Sequence, residues 1–275
     1  MIAVGVGVGV FGSLIGSFLN VVIFRVPAGR SIVSPPSACG SCGTRVRSFD
    51  NLPVLSWLVL RGKCRDCRAP ISARYPLVEL GTAVFFAAVA WFVLATFAAR
   101  TEGTAQTVAT ILALAAFLYF ASISVALALI DLDTQRLPNS IVLPAYPIAA
   151  VLLTVAALTA GAPERLLTMA VGGVSLFAAY FAMASLYRGG MGFGDVKLAG
   201  VIGLFLGWVG WGPLVVGAFA AFLLGGLFSL ALVMTRGATG RTAIPFGPWM
   251  ILGAWVGIFA GEQIATAYLA LFGLV

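Results

Sequence analysis

Apolar residues run almost unbroken for about 20 positions at a time along this chain, the length that crosses a hydrocarbon core as a helix. Eight such runs lie near 2–24, 76–98, 105–130, 140–160, 166–187, 196–211, 213–235 and 249–272, the sixth short and glycine-rich. Polar positions gather between them, most densely in residues 25–75. The pattern predicts an all-α polytopic membrane protein of about eight transmembrane helices, with a small polar domain between the first and second. On this division residues 1–24 are the first helix, 25–75 the polar segment and 76–275 a seven-helix core. With 61% hydrophobic and 9% charged residues in 275, the composition excludes an ordinary soluble domain.

Charge orients the spans. Nine of the sixteen lysines and arginines lie in 25–75. With the N-terminus outside, the inward loops are 25–75, 131–139, 188–197 and 236–248, and they hold fourteen of the sixteen; only Arg100 and Arg165 fall outside them. This is the positive-inside asymmetry, and it places both termini on the outer face of the membrane. No basic residue precedes the first span, whose apolar run ends at Arg25, so an uncleaved signal-anchor fits better than a secretory signal peptide. The net charge of +7 therefore reads as a cytoplasmic loop against a lipid bilayer. It does not read as a nucleic-acid surface, because the basic residues lack the interleaved aromatics of a stacking platform.

The chain has no histidine, which removes His-based triads and ligands. Two carboxylates stand out instead. Asp131 ends the third run, Asp195 begins the sixth, and the charge asymmetry puts both at the cytoplasmic face. A charged carboxylate at membrane depth costs about 3 kcal/mol on insertion scales and is rarely kept without a task. Each lies beside a helix-interrupting signal: Asp133 to Asn139 with Pro138 after the first, and Gly189-Gly190-Met191-Gly192-Phe193-Gly194 before the second. The freedom of Gly192 and Gly194 lets a substrate strand or a water approach Asp195. Two carboxylates held close in low dielectric cannot both ionise cheaply, so they share a proton, as in aspartic proteases. One takes a proton from water while the other donates to the scissile carbonyl. Asp133 rivals Asp131, but Asp131 is nearer the apolar run. The pattern by itself also admits a transporter that binds a cation or proton, and a structural ion pair with Lys197 or Arg136. The Gly192-Phe193-Gly194-Asp195 tetrapeptide with an upstream aspartate resembles the intramembrane aspartyl proteases that include presenilin and signal peptide peptidase.

All four cysteines sit in two Cys-Xaa-Xaa-Cys pairs, Cys39/Cys42 and Cys64/Cys67, within the polar segment. Two such knuckles spell a tetrahedral structural zinc site of four thiolates, with no open position for water. A reducing cytoplasm disfavours disulfides, and a thiol redox pair needs one motif at a helix start. About 50 residues make too small a core to fold unaided, and metal binding can supply the difference.

Taken in order, the motifs resemble one family, the bacterial type IV prepilin peptidases. Gly12-Ser13-Leu14-Ile15-Gly16-Ser17-Phe18-Leu19-Asn20 through Pro27 is similar to the family's opening signature. The four cysteines follow, enclosing Asn51-Leu52-Pro53 to Trp57 and Leu60-Arg61-Gly62-Lys63. Then come Arg74-Tyr75-Pro76-Leu77-Val78-Glu79-Leu80, Asp131 to Asn139, Gly192 to Lys197, and Ile244-Pro245-Phe246-Gly247-Pro248. Leu52 stands where isoleucine is usual, and Asn139 where the family often has aspartate.

The resemblance implies an enzyme that cuts the basic leader from type IV prepilins or pseudopilins at the cytoplasmic membrane face. Asp131 and Asp195 are then the protease pair and Cys39, Cys42, Cys64 and Cys67 the metal ligands. It also implies N-methylation of the new N-terminal residue with S-adenosylmethionine, since the cysteine segment that shorter protease-only relatives lack is present here. A protease-only enzyme is the alternative. Candidates for the methyl-transfer site are Asn20, Arg25, Gly62 and Glu79, at the membrane-proximal edge or in the knuckle turn. Each also has a plain structural reading: Asn20 bonding another helix, Glu79 pairing with Arg74, Gly62 serving a turn. Gly12 and Gly16 have small-residue spacing and read as a helix-packing face. Lys197 either acts on Asp195 or a substrate's acidic part, or snorkels to the interface. Pro245, Phe246 and Gly247 are expected to hold extended substrate backbone, or else merely to start a helix.

Overall fold

A computed structural model describes residues 2–98, 103–186, 191–236 and 245–274. Arg100, Gly189, Gly190 and Ile244, named above, lie outside the described residues. The elements are α1 (Ile2–Arg25), a 3-10 turn (Ser48–Asn51), α2 (Leu55–Val59), α3 (Arg74–Phe97), α4 (Thr104–Thr134), α5 (Asn139–Thr159), α6 (Glu164–Leu186), α7 (Phe193–Val209), α8 (Trp211–Arg236) and α9 (Gly247–Ala270). Among the described residues there is no strand, and seven helices, α1, α3, α4, α5, α6, α8 and α9, are long and apolar enough to cross a membrane. The protein is a multi-pass membrane protein.

The expected sixth span is α7, and at 17 residues it is about 25 Å long, at the short end for crossing. Eleven of those residues are buried, because α7 is enclosed by its neighbours. The third span runs further than expected. Hydropathy falls at Asp131, but intrahelical hydrogen bonding continues until Gln135 adopts a left-handed conformation (φ 54°) and donates its N–H to the Asp131 carbonyl at 2.8 Å. Asp131 therefore lies inside the last turn of α4 rather than beyond it.

The chain divides into two compact units. The first holds α1, the polar segment, α3 and residues 117–126 of α4. Here α1 lies on α3 at backbone distance: a Cβ on Gly12 would come 2.7 Å from Phe86 Cβ, and one on Gly16 2.7 Å from Glu79 Cα. Gly12 and Gly16 thus form a helix-packing face, as their spacing suggests.

The second unit holds the ends of α4 and α5 to α9. Gly200, Gly203 and Gly207 of α7 leave room for Tyr146 of α5 and for Gly172 and Thr168 of α6. Tyr146 donates its hydroxyl to the Lys197 carbonyl at 2.7 Å, and Trp208 its indole N–H to the Leu153 carbonyl at 3.0 Å. The glycines that make α7 look weak in sequence are what allow it to be packed on several sides.

Candidate active site and metal centre

The last turn of α4, the start of α7 and the start of α9 meet in the second unit. Asp131 is only 5% exposed, whereas Asp133, two positions on and so on another helix face, is exposed. Asp131 Oδ2 accepts the buried backbone N–H of Gly247, the first residue of α9, at 3.1 Å. Asp195 is the third residue of α7 and reaches back so that its Oδ2 accepts the Gly192 N–H at 3.2 Å, while its own N–H donates to the Gly192 carbonyl at 3.0 Å. A helix start offers unsatisfied N–H groups, which explains why a carboxylate settles at each. The two aspartates are near enough for the charge of Asp131 to be felt at Asp195. Among the described residues neither second oxygen has a protein hydrogen bond, and neither is fully enclosed.

Leu137 sits between them. A Cβ on Gly194 would come 3.0 Å from Leu137 Cβ, and one on Gly247 3.4 Å from Leu137 Cδ2. Gly194 is therefore small because Leu137 occupies the space, whereas at Gly247 the tightest neighbour is Asp131 Oδ2, 2.7 Å from such a Cβ. Sequence reading passed over this wedge, as a lone leucine beside a proline carries no chemical signal. It also passed over Tyr180 of α6, a 3% exposed residue whose hydroxyl feels the Asp195 charge. A single tyrosine in an apolar helix looks like core.

The remaining candidates are placed as follows. Lys197 directs its amine to Asn139 Oδ1 at 2.9 Å and lies 4.8 Å over the Phe193 ring, so it is turned toward the start of α5 and not toward Asp195. Phe246 packs against Phe222 and Tyr180, with ring centroids 5.5 and 6.3 Å away. Gly247 touches Asp131 directly, and Pro245 precedes it, half-buried.

In the first unit the two cysteine pairs fold into near-identical knuckles. The N–H of Cys39 donates to the Thr44 carbonyl and that of Cys64 to the Ala69 carbonyl, at 2.9 and 2.8 Å. Ala38 bridges Arg45 as Lys63 bridges Pro70. Each knuckle turns through a left-handed residue after its second cysteine, Gly43 (φ 72°) in one and Arg68 (φ 61°) in the other. The four Sγ atoms lie within 4.8 Å of one another, with Cys39 and Cys67 3.8 Å apart. A tetrahedron with metal–sulfur bonds of ~2.3 Å has edges of ~3.8 Å, so the set fits zinc. The N–H groups of Cys42 and Ser41 aim at the Cys39 sulfur and lower its thiol to about 6. Cys67 behaves oppositely: the Ala69 N–H favours its thiolate, but burial and the sulfurs of Cys42, Cys64 and Cys39 hold the proton on, up to about 12. Four thiols this close can all be deprotonated only with a cation among them. Arg65 grips Asp50 at 2.6 Å and Arg47 grips Asp66 at 2.9 Å, tying the second knuckle to the 3-10 turn.

The four methyl-transfer candidates all make structural contacts. Asn20 donates to the Tyr75 carbonyl at 3.2 Å and Arg25 to the Ser31 carbonyl at 3.0 Å. Gly62 (φ 67°) lies under the Trp57 ring. Glu79, 9% exposed, accepts the Val54 N–H at 2.7 Å.

Comparison with known proteins bears on both units. Residues 10–93 match the Bacterial Peptidase A24 N-terminal domain and residues 118–230 the Type IV leader peptidase family. The chain is 34% identical to a prepilin leader peptidase/N-methyltransferase of Pseudomonas putida, over 96% of this chain and 93% of that protein. It is 33% identical to one of Pseudomonas aeruginosa (95% and 92%) and 32% identical to one of Neisseria gonorrhoeae (94% and 91%). No solved structure matches it.

Proposed function

The chain belongs to the type IV leader peptidase family, and from that membership we propose that Asp131 and Asp195 are the catalytic pair with which it cleaves the leader from a type IV prepilin or pseudopilin. The observation that carries the assignment is the matched environment of the two carboxylates: one oxygen of each is held by a glycine N–H and the other is open, at helix ends that meet around Leu137. Fixed oxygens set the direction of the open ones before substrate arrives, which is the preorganisation that hydrolysis needs.

The chemistry follows. A water between the open oxygens loses a proton to the ionised carboxylate and attacks the scissile carbonyl, which is polarised by the protonated partner. As the C–N bond breaks, the proton taken from water passes from the first carboxyl to the leaving amine, while the partner keeps its own, so the pair again shares a single proton. The pair titrates as a unit, so the two roles belong to the pair. Lys197 and Asn139 join the start of α7 to the start of α5, and Leu137 fixes the spacing from within. A pilin's apolar N-terminal helix enters the membrane with its basic leader inside, which brings the scissile bond to the depth of the aspartates at the cytoplasmic face of the inner membrane.

We assign the second activity, N-methylation of the freed terminus by S-adenosylmethionine, to the segment 25–75 with the adjoining ends of α1 and α3. Asn20, Arg25, Gly62 and Glu79 belong to that region. Cys39, Cys42, Cys64 and Cys67 would hold a zinc ion by four thiolates, and a metal so held would cross-link the two knuckles rather than activate water. The test of the peptidase is leader cleavage by the purified protein in liposomes, with Asp131→Asn and Asp195→Asn alongside. Each substitution abolishes turnover on this reading, and a folded variant that still cuts would remove that aspartate from the pair.

A further inference from the structure

The polar segment presents a face opposite in character to its surroundings. In α2 and the turn before it, Leu52, Leu55, Leu58 and Val59 are 52, 61, 57 and 76% exposed. Within α2, Leu55, Leu58 and Val59 fall at spacings of three and four and therefore share one side, and Leu52, exposed as well, lies just before the helix. The other side is anchored inward. Trp57 donates its indole N–H to the Ile71 carbonyl at 3.0 Å, and Ser56 donates to the Phe49 carbonyl at 3.0 Å while accepting the Leu52 N–H at 3.0 Å. Four large aliphatic side chains facing outward together, in a segment otherwise rich in charge, call for a covering.

Where that face sits along α1 and α3 identifies what covers it. Val54 opens α2 with φ 61°, a conformation that a β-branched residue adopts only under constraint. The constraint is Glu79, whose carboxylate takes the Val54 N–H at 2.7 Å. Glu79 is five residues past the charged start of α3 at Arg74, about 7.5 Å along its axis. It also rests against Gly16, nine residues or about 13 Å inside the charged end of α1 at Arg25. Both α1 and α3 are long and apolar enough to cross a membrane, so the start of α2 lies below the level of their polar ends. Arg61 and Lys63 follow α2 directly and are exposed. An apolar face at this depth with basic residues at its edge has the character of an interfacial element seated about 5–10 Å into an anionic surface.

We propose that Leu52, Leu55, Leu58 and Val59 form a membrane-interface contact, seated at the headgroup–acyl boundary of the anionic bilayer that α1 and α3 cross. Through the Glu79–Val54 bond this contact holds the cysteine knuckles at a fixed height over the membrane. The proposal rests on α1 and α3 crossing the bilayer and not on the catalytic assignment.

The test uses the full chain with zinc, in vesicles of phosphatidylcholine and phosphatidylglycerol. A ketone-bearing amino acid in place of Leu58 carries a spin label, which spares the four cysteines, and a label in place of exposed Arg45 is the reference. The label at 58 collides more with oxygen than with a water-soluble nickel chelate, while the label at 45 does the reverse, so the depth parameter changes sign between them. Access to nickel equal to that at 45 would overturn the proposal in favour of a water-facing surface. Shielding from both reagents would overturn it in favour of a protein partner. In phosphatidylcholine alone the label at 58 moves toward water, and an unchanged depth would overturn the anionic part. Bound zinc reports the fold of each labelled protein, and if the label at 58 displaces zinc, the same measurement at Leu55 decides.

Discussion

Replacing Gly247 by alanine isolates the placement of one carboxylate. The new Cβ would lie 2.7 Å from Asp131 Oδ2, 3.3 Å from its Cγ and 3.4 Å from Leu137 Cδ2. A carbon–oxygen contact relaxes only near ordinary van der Waals separation, so the carboxylate must retreat by roughly half an ångström. That retreat weakens the 3.1 Å hydrogen bond from the Gly247 N–H. A bond to a charged group is worth about 1.5–3 kcal/mol, and about 1.4 kcal/mol is tenfold in rate. Misplacement by ~1 Å alone can cost ~100-fold. The expected result is kcat for leader cleavage lowered about 10- to 100-fold, with KM nearly unchanged. Alanine favours a helix over glycine by about 1 kcal/mol, so the start of α9 itself is not weakened. The assay is a prepilin titration in proteoliposomes with thermal unfolding of the same preparations. Wild-type kcat in folded protein refutes the reasoning. A raised KM with unchanged kcat refutes it differently, by making Gly247 a substrate contact.

Further outcomes follow from the other sites. Phe246→Ala opens the cluster with Tyr180 and Phe222, and because the ring is half-buried the loss is about 2 kcal/mol, read as a lower melting temperature together with slower cleavage. Cys42→Ser lowers bound zinc, measured by metal analysis, and lowers methylation more than leader cleavage, because the aspartates lie in the other unit. Hydrogen bonds from Arg65 hold the Asp50 carboxyl below the usual carboxylate range. Since the folded value lies below the unfolded one, this stabilisation is complete above about pH 4 and fades as pH falls through the folded value. The stability gap between wild type and Asp50→Asn, from unfolding curves at stepped pH, therefore narrows on acidification; a constant gap would count against the pairing.

Much of this was legible in the sequence because the membrane simplifies the code. A helix that must satisfy its own backbone shows itself as an apolar run, and all eight expected runs are helices within a few residues of their anticipated ends. The cysteine knuckles were equally plain, since four thiols at two fixed spacings have few other uses. The end of α4 was misjudged because hydropathy marks the change in solvent, whereas the helix stops only where Gln135 turns left-handed. The partners of the polar side chains were less legible. Lys197 is two residues from Asp195 in sequence, yet its amine meets Asn139, which no local pattern announces. Gly247 was read as a contact for substrate backbone, but packing places it against Asp131, 116 residues away. Such contacts depend on how helices are assembled and leave no periodic trace.

The most direct test of the account is the intact mass of the N-terminal peptide of a prepilin produced together with this protein, in parallel with Asp131→Asn and Asp195→Asn. The account predicts loss of the leader and gain of one methyl group with the wild-type chain, and neither with the two variants, because the amine to be methylated exists only after cleavage. A full-length leader beside folded wild-type protein, across matched prepilins, would contradict the peptidase assignment; leader loss that survives both substitutions would contradict the aspartate pair.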